Sequence, residues 1–291
     1  MISPAIHVQE AAFRELRRQR RNATLIGGAV LLVCLLVAAR VSEFYPSSLI
    51  AGAPRIGEYF AKILPSLEWS KLFAGTGTEG SIAFWLYRLD AWALLLLETA
   101  QMAALATLGG AAVALLLAFP AAKNLGAPGW VFQLARRFLE ATRTVPEIVF
   151  ALIFVWAFGV GALAGILAIA LHTTGALGKL FADAMENVEM RPWDGIRATG
   201  ATWFEACRFA IAPAALPDLL SYALLRFEIN LRSASVIGFV GAGGIGEELY
   251  KVISFNYYEE ISAIILLVIL AVVAIDMTSE RLRRRVIEAV A

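Results

Sequence analysis

Arg226, Glu228, Asn230 and Arg232 stand inside an otherwise apolar run, roughly Leu216–Val240. An arginine at the centre of a membrane span costs about 2.5–3.5 kcal/mol on insertion scales, so such residues face a bundle interior or a wet cavity. On a helix Arg226 and Asn230 share one face at i,i+4, and Glu228 and Arg232 share another. Two uses follow. The arginines could offer favourable charge to an anion crossing a path, or a Glu228–Arg232 ion pair could lock helix packing. The first is expected for Arg226 and the second for Arg232. The run ends in Gly241-Ala242-Gly243-Gly244-Ile245-Gly246, which fits Gly-x-Gly-x-x-Gly. A dinucleotide site needs a strand before such glycines and a helix and an acid after them. These follow an apolar run instead, which predicts tight backbone packing.

Other reactive residue types are sparse. The two histidines, His7 and His172, are far apart and neither sits in His-Glu-x-x-His. His172 is expected to make a polar contact between helices. Cys34 lies in an apolar run and Cys207 in a polar stretch, so neither a disulfide framework nor a metal site is indicated. There is no Gly-x-Ser-x-Gly nucleophile and no paired aspartates within the apolar runs. Gly178-Lys179 is followed by leucine with the wrong glycine spacing for a phosphate-binding loop. No catalytic residue and no metal ligand set is predicted.

The elements that must position these residues are membrane helices. Of 291 residues 59% are hydrophobic and 17% charged, against about 45–50% and about 25% in soluble chains. The net charge of +1, with arginines at the ends of apolar runs, gives no sign of a nucleic-acid partner. A spanning helix needs about 20 mainly apolar residues. Four runs qualify: Leu25–Tyr45, Trp92–Phe119, Leu216–Val240 and Tyr258–Met277. Ile148–Phe181 is too long for one span. Gly159, Gly161 and Gly165 interrupt it, which gives two helices if the first begins before Pro146.

The positive-inside rule selects six spans with both termini in the cytoplasm. That topology gathers Arg14–Arg21, Lys123, Arg136, Arg137, Arg143, Arg191, Arg197, Arg208 and the Arg281–Arg285 cluster on one side. Arg17, Arg18, Arg20 and Arg21 before Leu25–Ala39 also have the shape of a secretory signal. Several later spans favour an uncleaved first helix. The resulting organisation is a cytoplasmic arm over 1–24, then a first span and outer segment over 25–91. A core over 92–280 and a cytoplasmic tail over 281–291 complete it. In the outer segment Ile56, Tyr59, Phe60, Ile63, Leu64 and Leu67 recur at helical spacing. They predict an amphipathic helix on the membrane lipid, with Trp69, Trp85 and Trp92 as interfacial aromatics. Gly241, Gly243, Gly244 and Gly246 fall at the external mouth, where a gate could close.

The remaining feature is a cytoplasmic loop of more than thirty residues, 183–215, in a chain whose other links are short. Trp193-Asp194-Gly195-Ile196-Arg197-Ala198-Thr199-Gly200-Ala201 reads as a short helix, a glycine and a small-residue surface, with a second helical stretch to Ala212-Pro213. Gly200 to Pro213 has the spacing of the coupling loop of ABC importer permeases, and the segment resembles that loop. Asp194-Gly195-Ile196 stand where the family pattern has Glu-Ala-Ala, and Ala210 and Ala212 replace Ile and Leu. The sequence from Leu225 through Gly246 is similar to the phosphonate-importer branch of these permeases. So are Arg143-Thr144-Val145-Pro146-Glu147 and Leu171 through Lys179. The similarity covers most of the chain after about Leu94.

The resemblance implies an all-α, six-helix permease of the type I ABC importer fold in a bacterial inner membrane. It implies alternating access for phosphonate or a related oxyanion such as phosphite, hypophosphite or a phosphate ester. It also implies a second permease copy, two cytoplasmic ATPase subunits and a periplasmic substrate-binding protein. ATP and magnesium would be bound by the ATPase and no cofactor by this chain. Asp194, Gly195, Ile196, Arg197, Ala198, Thr199, Gly200 and Ala201 would form the coupling surface. A methionine or other small-solute permease of the same class is the alternative. A secondary transporter would need no docking loop, and the inverted repeats such proteins commonly carry are not found.

Overall fold

A computed structural model describes residues 4–288, with side chains from residue 13 to 285. The described residues form helices joined by turns. Two units divide the chain, residues 1–62 and 63–291. The first contains α1 (Pro4–Val41) and nearly all of α2 (Pro46–Ile63). Within α1, Phe13–Val41 is long and apolar enough to cross a membrane. Pro54 falls inside α2, and this helix ends at Ile63. Leu64 and Leu67, predicted to extend the amphipathic stripe, therefore lie beyond it. Pro65 follows directly, and a residue before proline is pushed out of helical geometry.

The second unit is built around α4 (Leu89–Ala121), which follows a short α3 (Ile82–Trp85). Next come α5 (Gly129–Thr144), α6 (Glu147–Phe158) and α7 (Ala162–Glu186). Small residues set the central contact. Ala103, Ala106, Thr107, Gly110, Ala114 and Ala118 are buried along α4. Gly165, Ala168, Thr173, Thr174 and Gly175 are buried along α7. Without a hydrophobic drive inside lipid, such small faces let two helices gain dispersion contacts.

Pro146 decides the third span. It has no N–H and restricts Val145, which takes an extended conformation (φ −77°, ψ 125°). As a result α5 and α6 meet at 89°. Five helical segments are long and apolar enough to span, and the bent pair, counted as one span, makes a sixth. The six-span expectation is met, but its third member is broken. With 12 residues α6 is about 18 Å long, half a bilayer crossing. The chain turns at Gly159–Gly161 into α7, where the sequence placed the break.

The segment expected to be a long loop is mostly helical. α7 continues to Glu186, followed by α8 (Arg191–Ala198) and α9 (Trp203–Ala206). A π-type turn over Cys207–Ile211 then leads into α10 (Ala212–Ile237). Thr202 caps α9 reciprocally with Glu205, satisfying two free backbone donors. The wide turn takes up the loss of the Pro213 N–H, so this proline does not stop the helix. Past the glycines lie α11 (Gly244–Ser254) and α12 (Tyr258–Glu288). Trp69 is exposed, as expected of an interfacial aromatic. Trp92 is not interfacial: it is fully buried with Ile245, Ile261 and Ile264 beneath α11 and α12. Trp85 is half-buried, its Nε1 donating to Glu259 O at 3.0 Å.

Candidate functional site

At one end of the second unit the segment between α7 and α10 is held on two tryptophans. Trp193 is buried among Leu125, Met185 and Ile211, and Trp203 Nε1 donates to Leu125 O at 2.7 Å. Beside them Arg136 bonds Glu186 Oε1 at 2.5 Å through Nη2 and Ala121 O at 2.9 Å through Nε. Lys123 N donates to the same Glu186 oxygen at 2.9 Å. One carboxylate at the end of α7 thus ties the middle of α5 to the turn that follows α4. On this mount Asp194, Gly195, Arg197, Ala198, Thr199 and Gly200 are exposed, while Ile196 and Ala201 are half-buried. Gly200 has φ +84°, which L side chains rarely adopt, and its Cβ position is open to solvent. Arg197 Nη1 closes the turn on Ala201 O at 2.8 Å. All eight residues of the predicted coupling surface lie on one small protruding element. Sequence reasoning missed its mount; the adjacent Arg136 and Glu186 signal only once the helices are neighbours.

The second cluster lies halfway along the bundle. Asn230 is 0% exposed. Its Nδ2 donates to Thr107 Oγ1 at 2.8 Å on α4 and to Thr173 Oγ1 at 2.9 Å on α7. Arg226, one turn away on the same face as predicted, reaches Thr173 Oγ1 with Nε at 3.4 Å. Its Nη2 is buried without a hydrogen-bond partner and lies 3.8 Å from Glu147 Oε2. The Arg226 and Glu147 side chains are 12% and 25% exposed. Arg226 is eleven residues before the end of α10, about 17 Å. That matches the length of α6, and the turns beyond α6 and α10 meet where Gly161 N–H donates to Gly241 O at 2.9 Å. Glu147 therefore sits at mid-span, because α6 begins there. His172 makes its helix contact at the same level, with Nδ1 3.0 Å from Val145 O.

The expected Glu228–Arg232 pair is absent among the described residues. Glu228 turns into the buried face, and Arg232 instead lies 3.8 Å from Asp276 Oδ1 on α12. Sequence spacing supplies neighbours within one helix only, so the cross-helix partner was not foreseen. Asp276 is the nineteenth residue of α12. Arg232 and Asp276 remain 55% and 39% exposed at membrane depth. An ion pair is too costly to face hydrocarbon, so this surface meets water or protein.

The glycines close the opposite end as the packing expectation required. Gly243 lies against Ala162 and Gly244 against Thr99, whose Oγ1 accepts Ile245 N–H at 2.9 Å. Gly241 contacts Val160, and a Cβ on Gly246 would collide with the Ser235 carbonyl.

A membrane bundle with a small-residue core, a polar mid-span cluster and an exposed helix on a rigid mount is the architecture of a transport permease. Residues 110–290 match the model of the binding-protein-dependent transport system inner membrane component family, and the chain belongs to that family. It is therefore a multi-pass inner-membrane transport component. Among curated proteins it is 35% identical over 267 residues to the phosphite transport system permease protein PtxC of Stutzerimonas stutzeri, covering 92% of this chain and 89% of that one. The phosphate-import permease protein PhnE of Mycolicibacterium smegmatis is 33% identical over 252 residues, 86% of this chain and 43% of its own. A putative cryptic phosphonate transport system permease protein of Escherichia coli, PhnE2, is 46% identical over 121 residues, 42% of this chain and 99% of its own. Solved structures share the fold. An inward-facing MetNI methionine ABC transporter chain aligns with TM-score 0.59 at 19% identity, over 68% of this chain and 97% of that one. A chain of a bacterial ABC transporter that imports alginate aligns with TM-score 0.57 at 14% identity, over 94% and 99%.

Proposed function

We propose that this permease passes a phosphorus oxyanion, phosphite or a phosphonate, into the cytoplasm by alternating access. It works with a second permease copy, two cytoplasmic ATPase subunits that bind ATP and magnesium, and a periplasmic binding protein. Both chain ends face the cytoplasm, by the arginine distribution. The exposed face from Asp194 to Ala201 docks on an ATPase. Arg226 faces the path, Asn230 and Glu228 are buried behind it where Asn230 ties α10 to α4 and α7, and Arg232 lies nearer its external end. Gly241, Gly243, Gly244 and Gly246 form the closed packing at the external gate.

The observation that carries this assignment is Arg226: a mid-span guanidinium whose buried Nη2 has no hydrogen-bond acceptor. A tetrahedral oxyanion supplies several acceptors, and arginine suits such partners by its planar fork of donors. The names of the relatives point to the same cargo class. Exposure of the Arg232–Asp276 pair at membrane depth fits a wet path or the face of a second copy.

Uptake of labelled phosphite and of a labelled alkylphosphonate into liposomes holding this chain, its ATPase and its binding protein tests the assignment. ATP-dependent uptake that methionine does not compete with, and that Arg226→Gln abolishes while ATPase activity persists, is expected. Unchanged uptake in Arg226→Gln removes Arg226 from the path. Coupled ATP hydrolysis without uptake of either anion overturns the cargo.

A further inference from the structure

Arg226 already has a negative neighbour, and the way it is held is unusual. Glu147 lies at 3.8 Å from Nη2, too far for a hydrogen bond, and the donor on that nitrogen stays unused. A buried donor left without an acceptor costs about 1–3 kcal/mol. The remaining polar groups do not supply one. Thr173 is turned to Nε and Asn230, Asn230 to the two threonines, and the His172 ring to Val145 O. The seat beside Nη2 is therefore occupied by charge and unsatisfied in hydrogen bonding.

Glu147 is also placed to move. It is the first residue of a half-length helix, directly after the 89° break at Val145–Pro146. Hinges absorb backbone change at such element ends. A half-length helix that begins at mid-bilayer also points its positive end at the seat, which favours an anion there. A lone arginine at that depth would be expensive in the empty protein. A fixed, fully hydrogen-bonded carboxylate would block it.

We propose that Glu147 is a resident counter-anion: its carboxylate neutralises Arg226 while the path is empty, and the transported oxyanion displaces it from the seat beside Nη2. This rests on the oxyanion reading of the path. It gives Glu147 two effects. The residue weakens binding of the anion by competing for Arg226, and it speeds release by returning to its place.

The test uses the permease–ATPase complex without binding protein, with phosphite as probe, read by the concentration that half-saturates its thermal stabilisation. Glu147→Gln removes the competitor but keeps the side chain's size. It is expected to lower the half-saturating phosphite concentration about tenfold, the value of one charge-assisted hydrogen bond regained. Maximal uptake in the full liposome system is expected to fall in the same variant. Glu147→Asp, which draws the carboxylate back, is expected to shift the concentration the same way by less. Should Glu147→Gln be unstable because Arg226 is left unpaired, phosphite is expected to stabilise it more than it stabilises wild type. The double variant Arg226→Gln/Glu147→Gln is expected to show no phosphite response. An unchanged or raised half-saturating concentration in Glu147→Gln overturns the proposal. So does a destabilised Glu147→Gln that phosphite does not restore, or a response surviving in the double variant. Absence of both stabilisation and uptake in wild type is a different result, because it overturns the cargo assignment itself. Uptake intact with no phosphite response in wild type or Glu147→Gln overturns only the role of Glu147.

Discussion

Replacing Asn230 with leucine keeps a similar volume but removes its interhelical contacts with two threonines: Nδ2 donates to Thr107 Oγ1 on α4 and to Thr173 Oγ1 on α7, and the Thr173 hydroxyl also lies 3.2 Å from Oδ1. Side-chain hydrogen bonds between membrane helices average about 0.6 kcal/mol each and reach about 1.7. Counted once per threonine partner, the contacts contribute about 1.2 kcal/mol, at most about 3.4. Asn230 is fully buried, so water cannot take over the lost contacts, which places the cost toward the upper part of that range. The lower figure alone changes the unfolding equilibrium about sevenfold. The assay is reversible unfolding in mixed detergent of wild type, Asn230→Leu, Thr107→Val/Thr173→Val and the triple variant. Coupling of at least about 1.2 kcal/mol between Asn230 and the two threonines is expected. Additivity within about 0.3–0.5 kcal/mol would refute the claim that these contacts join α10 to α4 and α7. Because Thr173 also meets Arg226 Nε, Asn230→Leu is expected to slow uptake as well.

Two further substitutions probe the two ends of the bundle. Gly200→Trp places a large side chain on an exposed turn with φ +84°. It is expected to leave membrane insertion intact while the ATPase fails to co-purify, and normal co-purification with normal uptake would remove this turn from the docking surface. Gly246→Val drives a side chain into the Ser235 carbonyl, a backbone atom that cannot swing aside. Loss of folded protein is expected in detergent stability assays, by about 1–3 kcal/mol as for overpacked cores; wild-type stability would show that α10 and α11 are not closely packed there.

Much of this architecture was legible because lipid imposes simple rules. Apolar run length marked the spans, and Gly159–Gly161 marked the turn into α7. The exposed element from Asp194 to Ala201 was legible as a short polar helix ending in a glycine. What escaped the sequence was set by neighbours in space. Arg232 found Asp276 rather than Glu228 because α12 lies alongside α10. Trp92 looked interfacial at the start of its run, and only the cover of α11 and α12 buries it. Pro213 read as the end of a helix, yet the π-type turn before it carries the helix through. Pro146 marked a helix start correctly, but nothing in its own context said that the start lies at mid-membrane. That depth follows from the shortness of α6 and from Gly161 meeting Gly241 at the far end.

The same bend links the two candidate sites along one helix. Arg136, bound to Glu186 at the mount of the proposed docking element, and Glu147, beside Arg226, are separated by eight further residues of α5 and the Val145–Pro146 break. Along that stretch α5 is pressed on α7, where Gly175 lies against Thr142 and Gly178 against Leu139, so it has little freedom to bend elsewhere. A shift of the mount therefore reaches Glu147 mainly as rotation at the break. Contiguity alone does not establish energetic coupling, and a mutant cycle on uptake rate decides it. Glu186→Gln and Glu147→Gln each slow transport if both matter. If α5 carries the motion, the double variant is expected to depart from additivity by more than about 0.5 kcal/mol, the usual limit for independent sites. Purely additive effects would mean that α5 does not carry motion between Glu186 and Glu147, which leaves α10, running directly from the same mount, as the element to test next.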